Sequence, residues 1–513
     1  MAYDRNKGED NLALDQIQGD VLVGLQKDYQ RFIAFQIIDR VRFKQFLRNL
    51  APIITTTQKV LEREFTIQLL KKNPNKEVFL FTGVNISFTF SGLVELGLPN
   101  LGKIKDASFR AGLPARSAAI GDPTIGPASP ANWIIGKSGQ NLHGLIMVTG
   151  PNGPVVNDLA ASILALAGNS LNKLYNEAGL TRRHDRGHEH FGYKDGVSQP
   201  GIRGEIGGFF PKHKFLTPSL NGSDPSQASP GSALVWPGEF VFGYHGQTPS
   251  NMDAPGPVVE GGIPWMKDGT YMVFRRLKQL VPEFNRFLAE LSAKLGIDEQ
   301  LLGARMVGRW KSGAPLAIAP IQDNPLLARE ELSLNDFKFA PDPSARRCPF
   351  AAHIRKANPR DDITFVTNNK ITDGEQRSQS EADNQTHRIL RRGIPFGEDV
   401  SREEQIGGIT TIDRGLMFVS YQTSIENQFE FILQKWVNDP AFPPSSEGRA
   451  GHDPILGQNS GATRARKFNG AAVTYPIGSN QTIVTLPSDF VQATGGGYFF
   501  VPSTSALVDV FSV

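Results

Sequence analysis

Apolar and polar positions in the first half of the chain predict strands and helices that follow one another without a fixed repeat. Strands are predicted where apolar residues run together or alternate, at residues 31–39, 84–90 and 144–150, and helices at residues 40–50 and 158–178. In the first helix Val41, Phe43, Phe46 and Leu47 fall on one face, and we expect that face to pack on the core.

The second half shows a similar order of elements. Strands are predicted at residues 239–244 and 414–422, and helices at residues 272–296 and 424–438. Pro282 has no amide hydrogen, so we expect it to kink or interrupt the first of these helices. Because strands and helices mix without a regular strand–helix–strand repeat, the pattern favours an α+β fold, with helices packed on an antiparallel sheet in each half.

A stretch rich in Ser, Pro and Gly, SLNGSDPSQASPGS at residues 219–232, is the best candidate for a linker. It divides the chain into an N-terminal domain, residues 1–218, and a C-terminal domain, residues 233–513. A chain of 513 residues is long enough for two such domains. The similar order of elements in the halves is compatible with a diverged duplication.

Composition narrows the class of protein. Hydrophobic residues make up 39% and charged residues 20% of the chain, which is typical of a globular protein. The net charge of +3 supplies no electrostatic footprint for nucleic acid. No apolar run approaches the ~20 residues of a membrane-spanning helix, and the first residues are too polar for a signal core. The single cysteine, Cys348, excludes an intramolecular disulfide and a thiolate metal cluster.

One stretch in the middle of the chain, TRRHDRGHEHFGYKDG, concentrates polar residues. His188, Glu189 and His190 form either a metal site or a polar loop, since their spacing suits a strand or loop rather than a zinc-binding helix. The overlapping stretch GYKDGVSQPGIRG places Asp195 between closely spaced glycines, where the backbone should turn sharply. Asp195 either points into a pocket from that turn or caps its own backbone.

Two later stretches combine basic residues with small or apolar neighbours. In CPFAAHIRKANPRDD, His353 follows small apolar residues, so it either approaches a flat cofactor closely or is an ordinary core histidine. Arg355 and its basic neighbours could bind the carboxylates of such a cofactor, or be solvated. HRILRRGIPFG carries Arg391 just before a glycine and a proline, where a helix or strand should end.

Taken together, these stretches resemble the dye-decolorizing peroxidases. GYKDGVSQP resembles the GxxDG signature of that family with its common tail, the His353 stretch resembles its proximal histidine motif, and RRG within ILRRGIPFG resembles its distal arginine motif. RGLMFVSYQ, GHDPILG and GGGYFFVPS also match family patterns, in the right order. The similarity runs from IQGDVLVGL to the C-terminus, and the long insertions between motifs resemble the fungal branch.

The resemblance implies a peroxidase with two ferredoxin-like domains of the dimeric α+β barrel superfamily and one non-covalent haem b per chain. Asp195 would carry the peroxide proton and Arg391 would stabilise charge on the departing oxygen, which leaves an oxyferryl haem. His353 would be the proximal ligand of the haem iron, and Asp453 would accept its other ring N–H. Because a carboxylate stays ionised in acid, we expect an acidic activity optimum.

The same resemblance assigns further residues. Arg355 is expected at a haem propionate, and Leu416 and Phe418 in the lining of the distal pocket, which differs little from plain core packing. Trp436 matches the family's surface radical tryptophan, with a half-buried helix residue as the alternative. Several relatives have tyrosine where this chain has Phe396. Phenylalanine cannot form a tyrosyl radical, so a second exit for electrons is in doubt.

The resemblance implies hydrogen peroxide and aromatic dyes or phenolics as substrates. We expect no nucleic-acid or membrane partner, and a protein that is a monomer or a weak oligomer. Similarity to the fungal branch favours secretion, while the polar N-terminus leaves a cytoplasmic location open. The alternatives are a chlorite dismutase-like or deferrochelatase-like haem protein, a haem carrier or sensor, and Cys348 as the axial ligand. The GxxDG motif argues against a chlorite dismutase-like protein, since that family lacks this distal acid.

Overall fold

The computed structural model describes most of the chain. The described residues are 5, 8–25, 27–70, 81–207, 214–220, 226–330, 332–367, 371–446, 450–459, 465–469 and 483–513. Their strands are β1 Tyr29–Ile37, β2 Gly83–Phe88, β3 Gly144–Gly150, β4 Leu171–Leu180, β5 Gly201–Ile202, β6 Gln227–Ser229, β7 Ser232–Val235, β8 His245–Thr248, β9 Asn251–Val258, β10 Thr270–Gln279, β11 Leu390–Arg391, β12 Ile394–Phe396, β13 Gly415–Gln422, β14 Arg466–Asn469, β15 Ile483–Leu486 and β16 Val491–Val501.

Helices connect and cover these strands. They are α1 Gly19–Leu22, α2 Arg40–Leu50, α3 Thr57–Leu70, α4 Phe90–Glu95, α5 Ala107–Ala111, α6 Leu113–Arg116, α7 Gly153–Ala167, α8 Val281–Leu295, α9 Glu299–Val307, α10 His353–Ala357, α11 Asp373–Gln385, α12 Arg402–Gly407 and α13 Thr504–Ala506. Wider π-helical turns occupy Ile425–Glu430, Ile432–Val437 and Leu507–Phe511. None of the helices described here has the length and apolar character to cross a bilayer.

One large antiparallel sheet contains strands from both halves of the chain. Its order is β11-β13-β10-β16-β2-β3-β1-β4, and β12 also pairs with β13. The halves join where Phe500 of β16 pairs with Phe88 of β2. At the other end Gly179 of β4 lies so close to Ile394 of β12 that a Cβ on the glycine would come within 2.3 Å of it. The two ends of the sheet therefore approach each other, and the sheet curls into a barrel. This arrangement fits the predicted α+β class.

Both faces of the sheet are mostly buried along β1, β2 and β3, which explains why strands such as β1 read as continuous apolar runs, whereas β4 alternates buried and exposed residues. Phe32 and Ala34 belong to the core inside the barrel, whereas Ile33 and Phe35 belong to the core under the helices. α2 covers that outer core with Phe43, Phe46 and Leu47, as predicted, but Val41 is 78% exposed. The buried stripe of α2 is thus narrower than the periodicity indicated.

Two predicted helices are partly strand. The helix predicted over residues 158–178 ends at Ala167, Gly168 has a positive φ of 53°, and the chain continues as β4, paired with β1. The helix predicted over residues 272–296 begins as β10, paired with β13 and β16, and α8 starts only at Val281. Pro282 lies in the first turn of α8, where its missing N–H is no loss, so it marks the start of the helix.

Other expectations met mixed outcomes. The strand predicted at residues 239–244 is a turn of 3₁₀ helix at Pro237–Glu239 followed by turns, although Phe240 and Val241 are fully buried. The strand predicted at 414–422 and the helix predicted at 424–438 are confirmed. Parts of the predicted linker, residues 219–232, form β6 and the start of β7, and its residues 221–225 lie outside the described residues. The domain limits 1–218 and 233–513 stay a prediction.

Candidate active site

A single cavity of about 270 Å³ brings together residues from motifs that are far apart in the sequence. His353 lines it from the start of α10, and Arg391 from the end of β11. Asp195, Leu416 and Phe418 also face it. Most of the remaining wall is aliphatic or aromatic, which is the usual lining of a site for a flat, apolar cofactor.

His353 is held by a buried carboxylate. Its Nδ1 lies 2.7 Å from Oδ2 of Asp453, whose side chain is completely buried. The other oxygen of Asp453, Oδ1, accepts hydrogen bonds from the backbone N–H groups of Ile455 (2.8 Å) and Leu456 (3.0 Å). Both carboxylate oxygens are therefore occupied. The pair orients the imidazole so that its Nε2, which has no hydrogen-bond partner among the described residues, remains available.

Charge explains how this buried pair is stabilised. Burial opposes the ionisation of Asp453, but His353 and the two backbone N–H groups hold the pKa of Asp453 below its usual value. Burial likewise lowers the pKa of His353, yet the adjacent carboxylate outweighs it and the pKa of His353 lies above the ordinary value. An imidazole beside such a carboxylate is an electron-rich ligand.

Asp195 lies at the end of a tight loop. Gly192 and Gly196 have φ values of 90° and 75°, which side chains with a Cβ rarely adopt. The backbone N–H of Asp195 donates to the carbonyl of Gly187 at 2.8 Å, and the N–H of Gly196 donates to Oδ1 of Asp195 at 2.6 Å. The carboxylate thus caps its own turn and also points into the cavity, so both of the expected roles apply.

Arg391 fixes the orientation of Asp195. Its Nη1 donates to Oδ1 of Asp195 at 3.1 Å and its Nη2 to the carbonyl of Ser198 at 2.9 Å. The side-chain amide of Gln199 also fixes the backbone of Arg391. Its Nε2 donates to the carbonyl oxygen of Arg391 at 3.0 Å, and its Oε1 accepts from the N–H of Arg391 at 3.3 Å. Within the described part of the chain, Oδ2 of Asp195 accepts no hydrogen bond. That oxygen can therefore take up a proton from a small molecule in the cavity.

Two further cavities lie near Asp195. A cavity of about 190 Å³ shares Asp195 and Arg391 with the first. It also shares Arg182 and His188 with a third, more open cavity of about 530 Å³. Asp195 therefore borders a polar region as well as the apolar cavity.

Arg355 does not face the cavity, contrary to expectation. Its guanidinium is fully buried and donates to both oxygens of Asp362, at 2.6 and 2.8 Å, and to Asp342 at 3.1 Å. It also lies 4.5 Å from the ring centroids of both Phe339 and Phe350. The donors of Arg355 are engaged by these carboxylates and by backbone carbonyls, so none is left for a propionate. Arg355 instead joins the segments before and after α10 through Asp342 and Asp362.

Three other arginines line the cavity. Arg360 is one of the basic neighbours of Arg355 that the sequence offered for cofactor carboxylates, whereas Arg309 and Arg388 were not identified from the sequence. Burial lowers the pKa of Arg309 to about 10 and the pKa values of Arg360 and Arg388 to about 9. Arg309 and Arg360 donate to backbone carbonyls and to Asn335, and Arg388 donates to Asn358. None forms an ion pair with a described carboxylate. Desolvated cations without counter-ions beside an apolar cavity favour an anionic ligand.

Trp436 is not on the surface, which corrects the expectation for its position. It is 4% exposed, lines the cavity and stacks on Phe442 at 5.6 Å. His387 and Phe431 contact its ring edge-on, both at 5.5 Å, and they stack on each other at 3.7 Å. These two rings are only partly buried. Any exchange of electrons between Trp436 and a bulky molecule outside must therefore pass through covering groups.

The other candidate metal ligands, His188, His190 and Cys348, do not form a ligand site. His188 contacts the carbonyls of Arg186 and Lys311, and His190 contacts the carbonyl of Phe396, so the two imidazoles do not converge. No cluster suited to a metal ion occurs among the described His, Cys, Asp and Glu residues. Cys348 is fully buried away from the cavity wall, and burial raises the pKa of its thiol to about 12, which does not suit an axial thiolate.

Replacing Arg355 by methionine should destabilise the fold. The change leaves Asp342 and Asp362 buried without their cation, and breaking such a pair costs about 3–5 kcal/mol. Chemical unfolding of the haem-free protein measures the effect. Arg388→Leu is the matched control, because that guanidinium has no described carboxylate partner, and its free energy of unfolding should stay near wild type. Equal stabilities for the two variants would contradict the structural role of Arg355.

Comparison with known proteins agrees with this geometry. The family model described as "DyP dimeric alpha+beta barrel domain" matches residues 16–183, and "Dyp-type peroxidase, C-terminal" matches residues 240–441. Peroxidase 2 of Mycetinis scorodonius is 36% identical over 98% of this chain and 88% of its own length. The dye-decolorizing peroxidase AauDyP1 of Auricularia auricula-judae is 33% identical over 97% of this chain and 86% of its own length.

Solved structures point the same way. An ancestral D-type dye-decolorizing peroxidase is 37% identical with a TM-score of 0.80, and covers 98% of this chain and 100% of its own. A mutant of the Pleurotus ostreatus enzyme is 32% identical with a TM-score of 0.81 and the same coverage. A deferrochelatase of Yersinia pestis, by contrast, is similar over only 33% of this chain. The chain belongs to the dye-decolorizing peroxidases, in the fungal branch of that family.

Proposed function

We propose that this protein reduces hydrogen peroxide and oxidises bulky dyes and phenolics with a haem b bound in the 270 Å³ cavity. One observation carries the proposal. A histidine held by a buried carboxylate, His353 with Asp453, shares a cavity wall with an acid and a guanidinium in contact, Asp195 with Arg391. Such an axial ligand and such a proton-transfer pair are what a peroxidase needs.

The cavity residues suit one haem b. His353 offers Nε2 to the iron, and the apolar wall, including Leu416 and Phe418, suits the macrocycle. Arg388 and its neighbouring arginines supply the positive charge that two propionates require. The chain has a single cysteine, away from the cavity, so covalent attachment through CxxCH is absent and binding is non-covalent.

Asp195 and Arg391 divide the acid–base work. When bound, the haem would accept the two oxidising equivalents of hydrogen peroxide and pass them on to the organic donor. Asp195 takes the proton of the inner peroxide oxygen on Oδ2 and returns it to the outer oxygen, which leaves as water. Arg391 keeps the carboxylate oriented and stabilises negative charge on the departing oxygen.

Bulky organic donors are oxidised without entering the cavity. A related dye-decolorizing peroxidase has been solved in complex with 2,6-dimethoxyphenol, which supports a phenolic substrate here. Trp436, at the cavity wall beneath His387 and Phe431, is proposed as an internal electron relay. Likeness to fungal enzymes supports secretion, and we propose a monomer or weak oligomer.

Haem retention tests the ligand assignment. His353→Ala should lose the high-spin ferric absorption spectrum of the wild-type holoenzyme. The other described histidine at the cavity wall, His387, stacks on Phe431 and bonds the carbonyl of Asn427, so it is not held by a buried carboxylate as His353 is. Arg388→Leu should keep the spectrum but release haem faster, as an unpaired propionate weakens binding. Absorption spectra and haem transfer to an excess of an apo-globin measure both effects. An unchanged spectrum in His353→Ala would contradict the assignment.

The distal pair predicts a specific pattern of rates. Asp195→Asn keeps the size of the side chain but removes the base, so the absorption change that follows peroxide addition should slow by ~10²-fold or more. Arg391→Leu should slow it as well, by removing charge stabilisation. Stopped-flow absorption with a holoenzyme of unchanged haem content is the measurement. A wild-type rate in Asp195→Asn with a slow Arg391→Leu would leave the arginine as the sole distal group.

Trp436→Ser should lower turnover of a large anthraquinone dye while leaving the reaction with peroxide near normal. The first step takes place at the haem, whereas the second needs a path through the protein. Steady-state dye oxidation and stopped-flow absorption separate the steps, and a small phenol that enters the cavity is the control donor. Unchanged dye turnover would show that electrons from the dye reach the cavity by a route that does not include Trp436. A collapse of both steps would show that Trp436 is required for packing.

A further inference from the structure

Aromatic rings lead from the cavity wall to a second oxidisable side chain. Phe418 and Phe429 both line the cavity, and their ring centroids are 6.0 Å apart. Phe429 in turn contacts Tyr498 of β16 edge-on, with centroids 6.2 Å apart at 76°. A single ring, Phe429, therefore separates Tyr498 from the cavity. Tyr498 is only 1% exposed, so the surrounding fold shields it from solvent.

The phenol of Tyr498 has a proton acceptor in place. Its O–H donates to Oε1 of Glu430 at 3.0 Å, and Glu430 is itself 1% exposed. Arg116 holds the carboxylate through Nε and Nη2, the shortest contact being 2.6 Å, and Gln434 donates to it at 3.4 Å. The side chain of Arg116 is 34% exposed, so the network reaches the surface.

Electrostatics keeps the phenol protonated in the resting protein. Burial, followed by the nearby Glu430 carboxylate, raises the pKa of Tyr498 well above its usual value. Loss of an electron reverses this preference, because an oxidised phenol is a strong acid. Oxidation of Tyr498 therefore requires that its proton leave at the same time, and Glu430 is the base within hydrogen-bonding distance.

We propose that Tyr498 and Glu430 form a proton-coupled redox site beside the cavity, an inference that rests on the proposed peroxidase function. Tyr498 gives up one electron, which cancels one of the two oxidising equivalents supplied by hydrogen peroxide. Its phenolic proton moves to Glu430, so the products are a neutral tyrosyl radical and a carboxylic acid. An organic donor returns the electron, and Glu430 returns the proton. Tyr498 stores an oxidising equivalent in this way.

Another described tyrosine offers a matched comparison. Tyr421 is also fully buried and donates to a buried carboxylate, Asp20, at 2.8 Å. It does not line the cavity, and no contact between described aromatic rings connects it to the cavity wall. Tyr421 has the local chemistry of Tyr498 without the path, so Tyr421→Phe is the control for loss of a buried phenol.

Electron paramagnetic resonance after rapid mixing of the holoenzyme with hydrogen peroxide tests the proposal. Protein grown with ring-deuterated tyrosine should show a narrowed radical signal relative to unlabelled protein. Tyr498→Phe should lose this deuterium-sensitive signal, and Tyr421→Phe should keep it. Glu430→Gln, which retains the size of the side chain but not the base, should also lose it. Haem absorption is recorded on the same samples.

The outcomes separate this proposal from the function on which it rests. Persistence of the deuterium-sensitive signal in Tyr498→Phe, or its equal loss in Tyr421→Phe, overturns the site. An undiminished signal in Glu430→Gln overturns the acceptor, and that variant decides the matter if Tyr498→Phe does not fold. Absence of any peroxide-induced change in haem absorption in the wild type would instead contradict the proposed function.

Discussion

The hydrogen bond between His353 and Asp453 is the contact on which the rest of the site depends. It joins residues 100 positions apart and removes a carboxylate completely from water. An isolated buried carboxylate is costly, and removing the partner of a buried ion pair is strongly destabilising. The loop that carries Asp453 must therefore dock against α10, which places the imidazole at the cavity wall with its Nε2 free.

Charges around the cavity fall into two groups with different physical consequences. Arg355 is neutralised by two aspartates, Asp342 before α10 and Asp362 after it, and holds these two segments together. Arg309, Arg360 and Arg388 lack such partners among the described residues, and burial lowers their pKa values. The first arrangement is neutralised within the protein, whereas the second leaves positive charge beside the cavity that an anionic ligand would neutralise.

The barrel explains how one short strand serves both the core and the site. In β13, Met417 and Val419 point into the barrel interior, while Leu416 and Phe418 line the cavity. Because side chains alternate along a strand, the register that buries one pair automatically presents the other. The same register places Arg391 of β11 opposite Ser420, next to the cavity.

The sequence by itself determined the short motifs and the local chemistry they carry. Asp195, His353, Arg391 and Asp453 were identified because each lies in a stretch with a recognisable order of residues, and the structure places the first three around one cavity and Asp453 behind His353. Continuous apolar runs also sufficed for β1, β3 and β13, since strands buried on both faces need little else.

Only the tertiary structure decided which face each side chain presents and which partner it finds. Residues 272–279 are compatible with a helix, but pairing with β13 and β16 makes them a strand. Arg355 and Arg388 both lie in basic stretches of the sequence, but only Arg355 folds against two buried aspartates, Asp342 and Asp362. Trp436 is buried because His387, Phe431 and Phe442 pack around it. Local periodicity reports preferences over a few residues, whereas burial and ion pairing arise from contacts between distant segments.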